Sequence, residues 1–193
     1  MGRGIVAMVS VGPHPLGEAT ADFVWRSDRL CPGTRRQVLL LLHRQWELAH
    51  GTTARSKHPH GGTLLLGEWP EDFYLEADVI LDAEDAEFHL LFNAAPDLLQ
   101  GYQLALCPRL DEVELRPISK WDVDRVLETA PVSVEARRPV KLRLFRHGSI
   151  LDVFVADRAT LTHRLYSHRG GRLALEYCDT TGSVTNLLAR RLK

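Results

Sequence analysis

Residues 140–166, VKLRLFRHGSILDVFVADRATLTHRLY, constrain the fold more than any other stretch of this chain. Val140, Leu142 and Leu144 alternate with Lys141 and Arg143, the period-two pattern of a strand with one buried face. His147-Gly148-Ser149 supplies a turn in which Gly148 is free to take a positive φ. A second run sets Leu151, Val153 and Val155 on one face and Asp152 and Phe154 on the other. After a turn at Asp157-Arg158, Leu161, His163 and Leu165 begin a third strand. Three strands with tight connections predict an antiparallel meander. Val153 and Phe154 lie on opposite faces, so one should meet a second sheet and the other a covering loop or a neighbouring subunit.

The same periodicity recurs upstream and downstream. Phe73, Leu75, Ala77, Val79 and Leu81 point one way, while Tyr74, Glu76, Asp78 and Asp82 point the other, as in a half-exposed antiparallel strand. Shorter strands are predicted at 63–66, at Phe88-Leu90-Phe92, at Tyr102-Leu104-Leu106 and at Val113-Leu115. Two more follow the meander, at Leu173-Leu175-Tyr177 and over 184–192. Residues 117–131, with Pro117, Trp121 and Pro131, read as a long loop holding at most one helical turn. Strands separated by turn residues at this spacing indicate an all-β, two-sheet antiparallel sandwich. Residues 1–60 read as an N-terminal extension packed on a sandwich domain of residues 61–193.

The extension is less patterned. Thr34-Arg35-Arg36-Gln37 has capping-box form, yet Leu42, Trp46 and Leu48 share a strand parity. Helix and strand both remain open for residues 38–48. Pro13 and Pro15 interrupt the short apolar segment near the N-terminus, so an edge strand or ordered arm is expected there rather than a signal peptide. On that reading a cytoplasmic location is favoured over secretion.

Composition excludes several classes. The 24 basic and 25 acidic residues leave a formal net charge of −1, which gives no reason to expect nucleic acid or an anionic membrane as partner. Cys31, Cys107 and Cys178 are odd in number and far apart, so free thiols are expected rather than a disulfide framework or a zinc motif. His58 and His60 are two apart beside His50, but no acidic or thiol ligand accompanies them in sequence. No metal and no cofactor is expected.

The order of residue types also resembles one family. Leu142-Arg143-Leu144-Phe145, Ser149-Ile150-Leu151-Asp152-Val153-Phe154, Asp157 and His163-Arg164-Leu165-Tyr166 follow the pattern "L-R-I-F … S-V-E-V-F … D … S-R-I-Y". That pattern belongs to the C-terminal β-sandwich of glycoside hydrolase family 32, the invertases, inulinases and levanases. "F-x-L-E-A-D-V-x-L" at Phe73–Leu81 and "G-Y-x-L" at 101–104 extend the resemblance over about residues 60–192. It implies a jelly-roll sandwich of the concanavalin-like group. It also implies an accessory role, since in those enzymes this domain buttresses the catalytic propeller and sometimes mediates dimer contacts.

The family's chemistry is not in this sequence. The propeller's Asn-Asp-Pro-Asn, Arg-Asp-Pro and Glu-Cys motifs do not occur, and Glu176-Tyr177-Cys178 places a tyrosine inside the last of them. A Glu-x-Asp-x-x-Glu row along one strand is not completed either. Leu81 stands three after Asp78, and Pro117 stands three after Glu114. Glu76, Asp78, Asp111, Glu112 and Glu114 therefore read as solvent faces of strands, and no catalytic residue is assigned.

Sugar-binding sandwiches use aromatic faces with polar companions. On that chemistry Trp69, Trp121 and Tyr102, with Asn93 and Asp97, are the candidate carbohydrate-binding residues; Tyr177 and Gln103 extend the set. Both tryptophans fall in predicted loops, where exposure is expected. The leading expectation is a non-catalytic carbohydrate-associated module that binds a fructan or plant-type oligosaccharide, with a catalytic domain or a second copy of itself as protein partner. A stand-alone interaction or oligomerisation module is the second reading, and a small glycosidase with an unrecognised acid pair is the third.

Overall fold

The computed structural model describes residues 6–12, 20–26, 46–48, 53–56, 61–119, 125–167, 169–178 and 180–192. Its strands in chain order are β1 (Val6–Gly12), β2 (Thr20–Arg26), β3 (Trp46–Leu48), β4 (Ala54–Ser56), β5 (Gly61–Trp69), β6 (Phe73–Leu81), β7 (Glu87–Ala94) and β8 (Gly101–Cys107). After a short 3-10 turn at Pro108–Leu110 come β9 (Glu112–Ile118), β10 (Glu128–Pro131), β11 (Val140–His147), β12 (Ile150–Val155), β13 (Ala159–Arg164), β14 (Gly171–Cys178) and β15 (Gly182–Arg191). Among the described residues no helix is long and apolar enough to cross a membrane.

Two antiparallel sheets face each other. One runs β10-β9-β8-β7-β14-β5 and the other β13-β12-β11-β6-β15-β4-β3, while β1 and β2 pair separately. The second sheet thus takes its last two strands from residues before 61, and Trp46–Leu48 within the ambiguous stretch is strand. The predicted meander is present as β11-β12-β13, with Gly148 at φ 54° in its first turn. Alternation explains the sandwich: Phe73, Leu75, Val79 and Leu81 of β6 and Leu142 and Leu144 of β11 turn inward. There they meet Phe88, Leu90 and Phe92 of β7 and Leu173, Leu175 and Tyr177 of β14, all essentially without solvent contact.

Three features depart from simple alternation. Gly67 takes φ 114° where β5 and β14 shift register, which returns Trp69 to the inward face. Trp69 is therefore the last residue of a strand, 7% exposed and tilted against Phe73 at 6.0 Å, not a loop residue open to solvent. In β15 a bulge centred on Asn186 (φ 52°) moves the buried face from Val184 to Leu187 and Ala189. Finally, Glu128–Pro131 within the expected long loop is an edge strand paired with β9 and tied by Thr129 Oγ1 donating to Glu112 at 2.7 Å.

Arg146 occupies an inward position of β11 with 1% of its surface exposed. Its Nη2 donates to Glu71 Oε1 at 3.1 Å, while Nε and Nη1 have no hydrogen-bond partner. Val153 faces the core, and Phe154 lies half-buried on the outer face, edge-on to Phe145 at 6.0 Å. Phe145 in turn packs on Tyr74 at 4.5 Å, a cross-strand aromatic row on the second sheet. Cys107 and Cys178 are free thiols; Cys31 and the His50, His58 and His60 group lie outside the described residues.

Candidate functional site

At one side of the sandwich the edge strands β10 and β13 approach each other, with His163 Nδ1 3.5 Å from Glu128 Oε2. A groove of about 570 Å³ opens beside them. Its origin is the alternation of β13. Leu161 and Leu165 are each 3% exposed and anchor the segment in the core, so Arg164 and Tyr166 must project outward. Leu165 N–H donates to Ser149 O at 2.7 Å, which holds the strand's end against the β11–β12 turn. Tyr166 stands 82% exposed, the most exposed of the large hydrophobic side chains among the described residues.

Tyr102 supplies the floor. Its ring stacks on Phe92 at 5.8 Å inside the core, and its hydroxyl reaches the groove, 2.6 Å from Ser167 Oγ. Ser167 N–H donates to the same hydroxyl at 3.3 Å, so the residue after Tyr166 is fixed at both backbone and side chain. Pro117, the cross-strand partner of Tyr102, continues the floor, and Val126 and Leu127 form the far wall. Leu127 N–H is held by Leu115 O at 2.8 Å. Arg125, Arg164 and His163 complete the lining with donors.

The remaining sequence candidates are dispersed. Trp69 is locked in the core, and Trp121 lies outside the described residues. Asn93 is 4% exposed at the end of β7 in a left-handed conformation (φ 49°). Asp97 is exposed and accepts from Leu99 N–H at 3.0 Å, the work of a turn residue. Tyr177 is core, its hydroxyl lying 2.7 Å from Ser183 O and 3.0 Å from Ile80 O. Of the four leading candidates among the described residues only Tyr102 reaches the groove, and only by its hydroxyl. Tyr166, Arg164 and Arg125 were missed, although the inward parity of Leu161 and Leu165 already points Tyr166 outward.

The acidic residues are arranged for charge pairing. Glu76 accepts from the Tyr74 hydroxyl and from Lys141 Nζ at 3.1 Å. The Tyr74 bond, against the opposing effect of burial, and then Lys141 hold its carboxyl below the usual carboxylate range. A group so ionised is poorly suited to donate a proton to a leaving group. Glu114, 5% exposed, pairs with Arg116 on the outer face of the other sheet. A second groove, of about 450 Å³, is lined by Glu84, Asp85, Asp111 and Glu135 with Arg109 and offers no aromatic face.

One further polar group lies on the outer face of the six-stranded sheet. His89, 8% exposed, is surrounded by Glu87, Glu176 and Cys178. Burial opposes charge on the imidazole, but its hydrogen bonds to Cys178, Glu176 and Glu87 outweigh this and push its pKa up to about 11.

No protein-family model matches the chain, nor does any curated protein sequence. Solved structures do share its fold. Carbohydrate binding module CBM66 from Bacillus subtilis is 16% identical, with 76% of this chain and 95% of that one covered at a TM-score of 0.63. A protein of unknown function with a galectin-like fold, also from Bacillus subtilis, is 11% identical, covering 76% and 86% at 0.61. The exoplasmic/lumenal domain of VIP36, in a Ca²⁺/Man-bound form, is 10% identical, covering 77% and 81% at 0.56. The fold is thus a galectin-like, concanavalin-like sandwich.

Proposed function

We propose that this chain is a non-catalytic carbohydrate-binding module that holds an oligosaccharide in the β10–β13 edge groove. The observation that carries this reading is Tyr166, 82% exposed beside the hydroxyl and guanidinium donors of the same groove. A flat ring supplies the apolar face that sugar C–H groups require, and neighbouring donors bind hydroxyls. Two of the structures that share the fold carry sugars or sugar-binding modules in their descriptions, which supports the same use here. The resemblance to the family 32 sandwich makes fructans the first ligands to try, and a catalytic domain the first protein partner. One stacking platform with a few donors gives an affinity of about 10 µM to 1 mM, roughly −4 to −7 kcal/mol.

Calorimetric titration with inulin- and levan-type oligosaccharides, sucrose and common plant polysaccharides tests the proposal. One of these should bind the native chain. Tyr166→Ala should weaken that binding at least tenfold with an unchanged melting temperature, because the side chain supports nothing in the core. Binding indifferent to Tyr166→Ala, or no binding at millimolar sugar, overturns the proposal. The same oligosaccharides should come through prolonged incubation without release of reducing sugar. Turnover that persists through repurification and disappears in Glu76→Gln or Glu114→Gln contradicts the non-catalytic assignment. A second reading rests on the outer-face row of Tyr74, Phe145 and Phe154 with Ile150, where Phe145 is 40% and Ile150 39% exposed. It makes this face a protein-binding surface, and sedimentation of Phe145→Lys against the native chain decides whether self-association depends on it.

A further inference from the structure

His89, Glu176 and Cys178 are brought together by sheet register alone. Glu176 is the cross-strand partner of His89 on β7 and β14, and Cys178 follows two residues later on the same face. We infer that these three side chains form a binding site for a zinc-class divalent cation, with His89 Nδ1, Glu176 Oε2 and Cys178 Sγ as ligands. The three atoms lie within 4.8 Å of one another. Ligand atoms on one tetrahedral Zn²⁺, with bonds of about 2.0–2.3 Å, stand roughly 3.3–3.6 Å apart. His89 Nδ1 is 3.3 Å from Glu176 Oε2 and 3.3 Å from Cys178 Sγ.

The surroundings favour coordination over a simple polar cluster. Glu87 Oε2 accepts from His89 Nε2 at 2.8 Å, which commits that nitrogen to a proton and leaves Nδ1 as the nitrogen that meets a cation once its own proton is displaced. Thr63 Oγ1 donates to Glu176 Oε1 at 2.7 Å, which orients the carboxylate with Oε2 toward Nδ1. Both orienting groups sit on the neighbouring strand positions, Thr63 opposite Glu176 and Glu87 opposite Cys178. Imidazole, thiolate and carboxylate together select a borderline cation such as Zn²⁺ or Co²⁺ rather than Ca²⁺ or Mg²⁺, which take oxygen ligands. Cys178 and the carboxyl of Glu176 are half-exposed, so the site has an entry path from solvent. On binding, Cys178 releases its thiol proton and His89 its Nδ1 proton to solvent as the S–metal and N–metal bonds form.

Cobalt(II) chloride added to the metal-free full-length chain reads the site directly. One equivalent should produce a near-ultraviolet thiolate-to-cobalt band and the visible bands of tetrahedral cobalt, both bleached by one equivalent of Zn²⁺. Cys178→Ser, nearly isosteric and expected to fold, should abolish the thiolate band. Glu87→Gln, which touches no metal, should weaken affinity about 10–100-fold. Absence of the band with excess cobalt, or its survival in Cys178→Ser, overturns the assignment. A Glu87→Gln affinity equal to the native one removes the orienting role on which the choice of Nδ1 depends and counts against it equally.

Discussion

Replacing Leu144 with alanine is expected to lower the unfolding free energy by about 3–5 kcal/mol, whereas Phe154→Ala should cost about 1–2 kcal/mol. Both residues belong to the strand pair that most clearly marks this sequence, so residue type alone ranks the phenylalanine higher. Position reverses the order. Leu144 has no solvent contact and sits opposite Leu75 at the centre of the sandwich, where the neighbouring strands are held by their ladders and cannot close the void. Phe154 is half-buried on the outer face, and its loss removes an edge-on contact with Phe145 that water replaces. Urea denaturation followed by intrinsic fluorescence measures both. Equal losses from the two variants would mean that the outer face is covered.

Glu71→Ala should destabilise the fold by about 3 kcal/mol, and Arg146→Met should change it by about 1 kcal/mol or less. Burial presses the Arg146 guanidinium toward a lower pKa than usual, and the charge of Glu71 counteracts it. Removing the carboxylate strands a cation whose Nε and Nη1 already lack partners. Removing the cation leaves a carboxylate that can turn to water, and methionine fills most of the space. Thermal unfolding of the two single variants and the double variant separates these contributions. If Arg146→Met proves the more damaging of the pair, the guanidinium is contributing hydrogen bonds rather than costing desolvation.

Much of the fold is legible in the sequence because most strands here have one wet face. β6 and the β11-β12-β13 meander each show their buried side directly as every second residue. The extra residue at the Gly67 shift and the left-handed Asn186 break that parity, which is why Trp69 reads as a loop residue and β15 changes face partway along. β10 is only four residues long and ends in Pro131, too short for alternation to register. The sites are harder to read. The groove joins Tyr102, residues 125–127 and residues 163–167, segments that only sheet order brings together. His89 and Glu176, 87 positions apart, meet through the pairing of β7 with β14, which no spacing rule anticipates. Tyr166 is the exception, since its outward direction follows from Leu161 and Leu165.

Mapping amide chemical shifts of the isotope-labelled chain during titration with the oligosaccharide that binds best in calorimetry addresses the groove itself. Saturable shifts should concentrate at Tyr166, Ser167, Val126 and Leu127, the segments that wall it. Shifts gathered instead at His89, Gln103 and Glu176 on the outer face of the six-stranded sheet, with Tyr166 unmoved, would contradict the edge groove as the sugar-binding site.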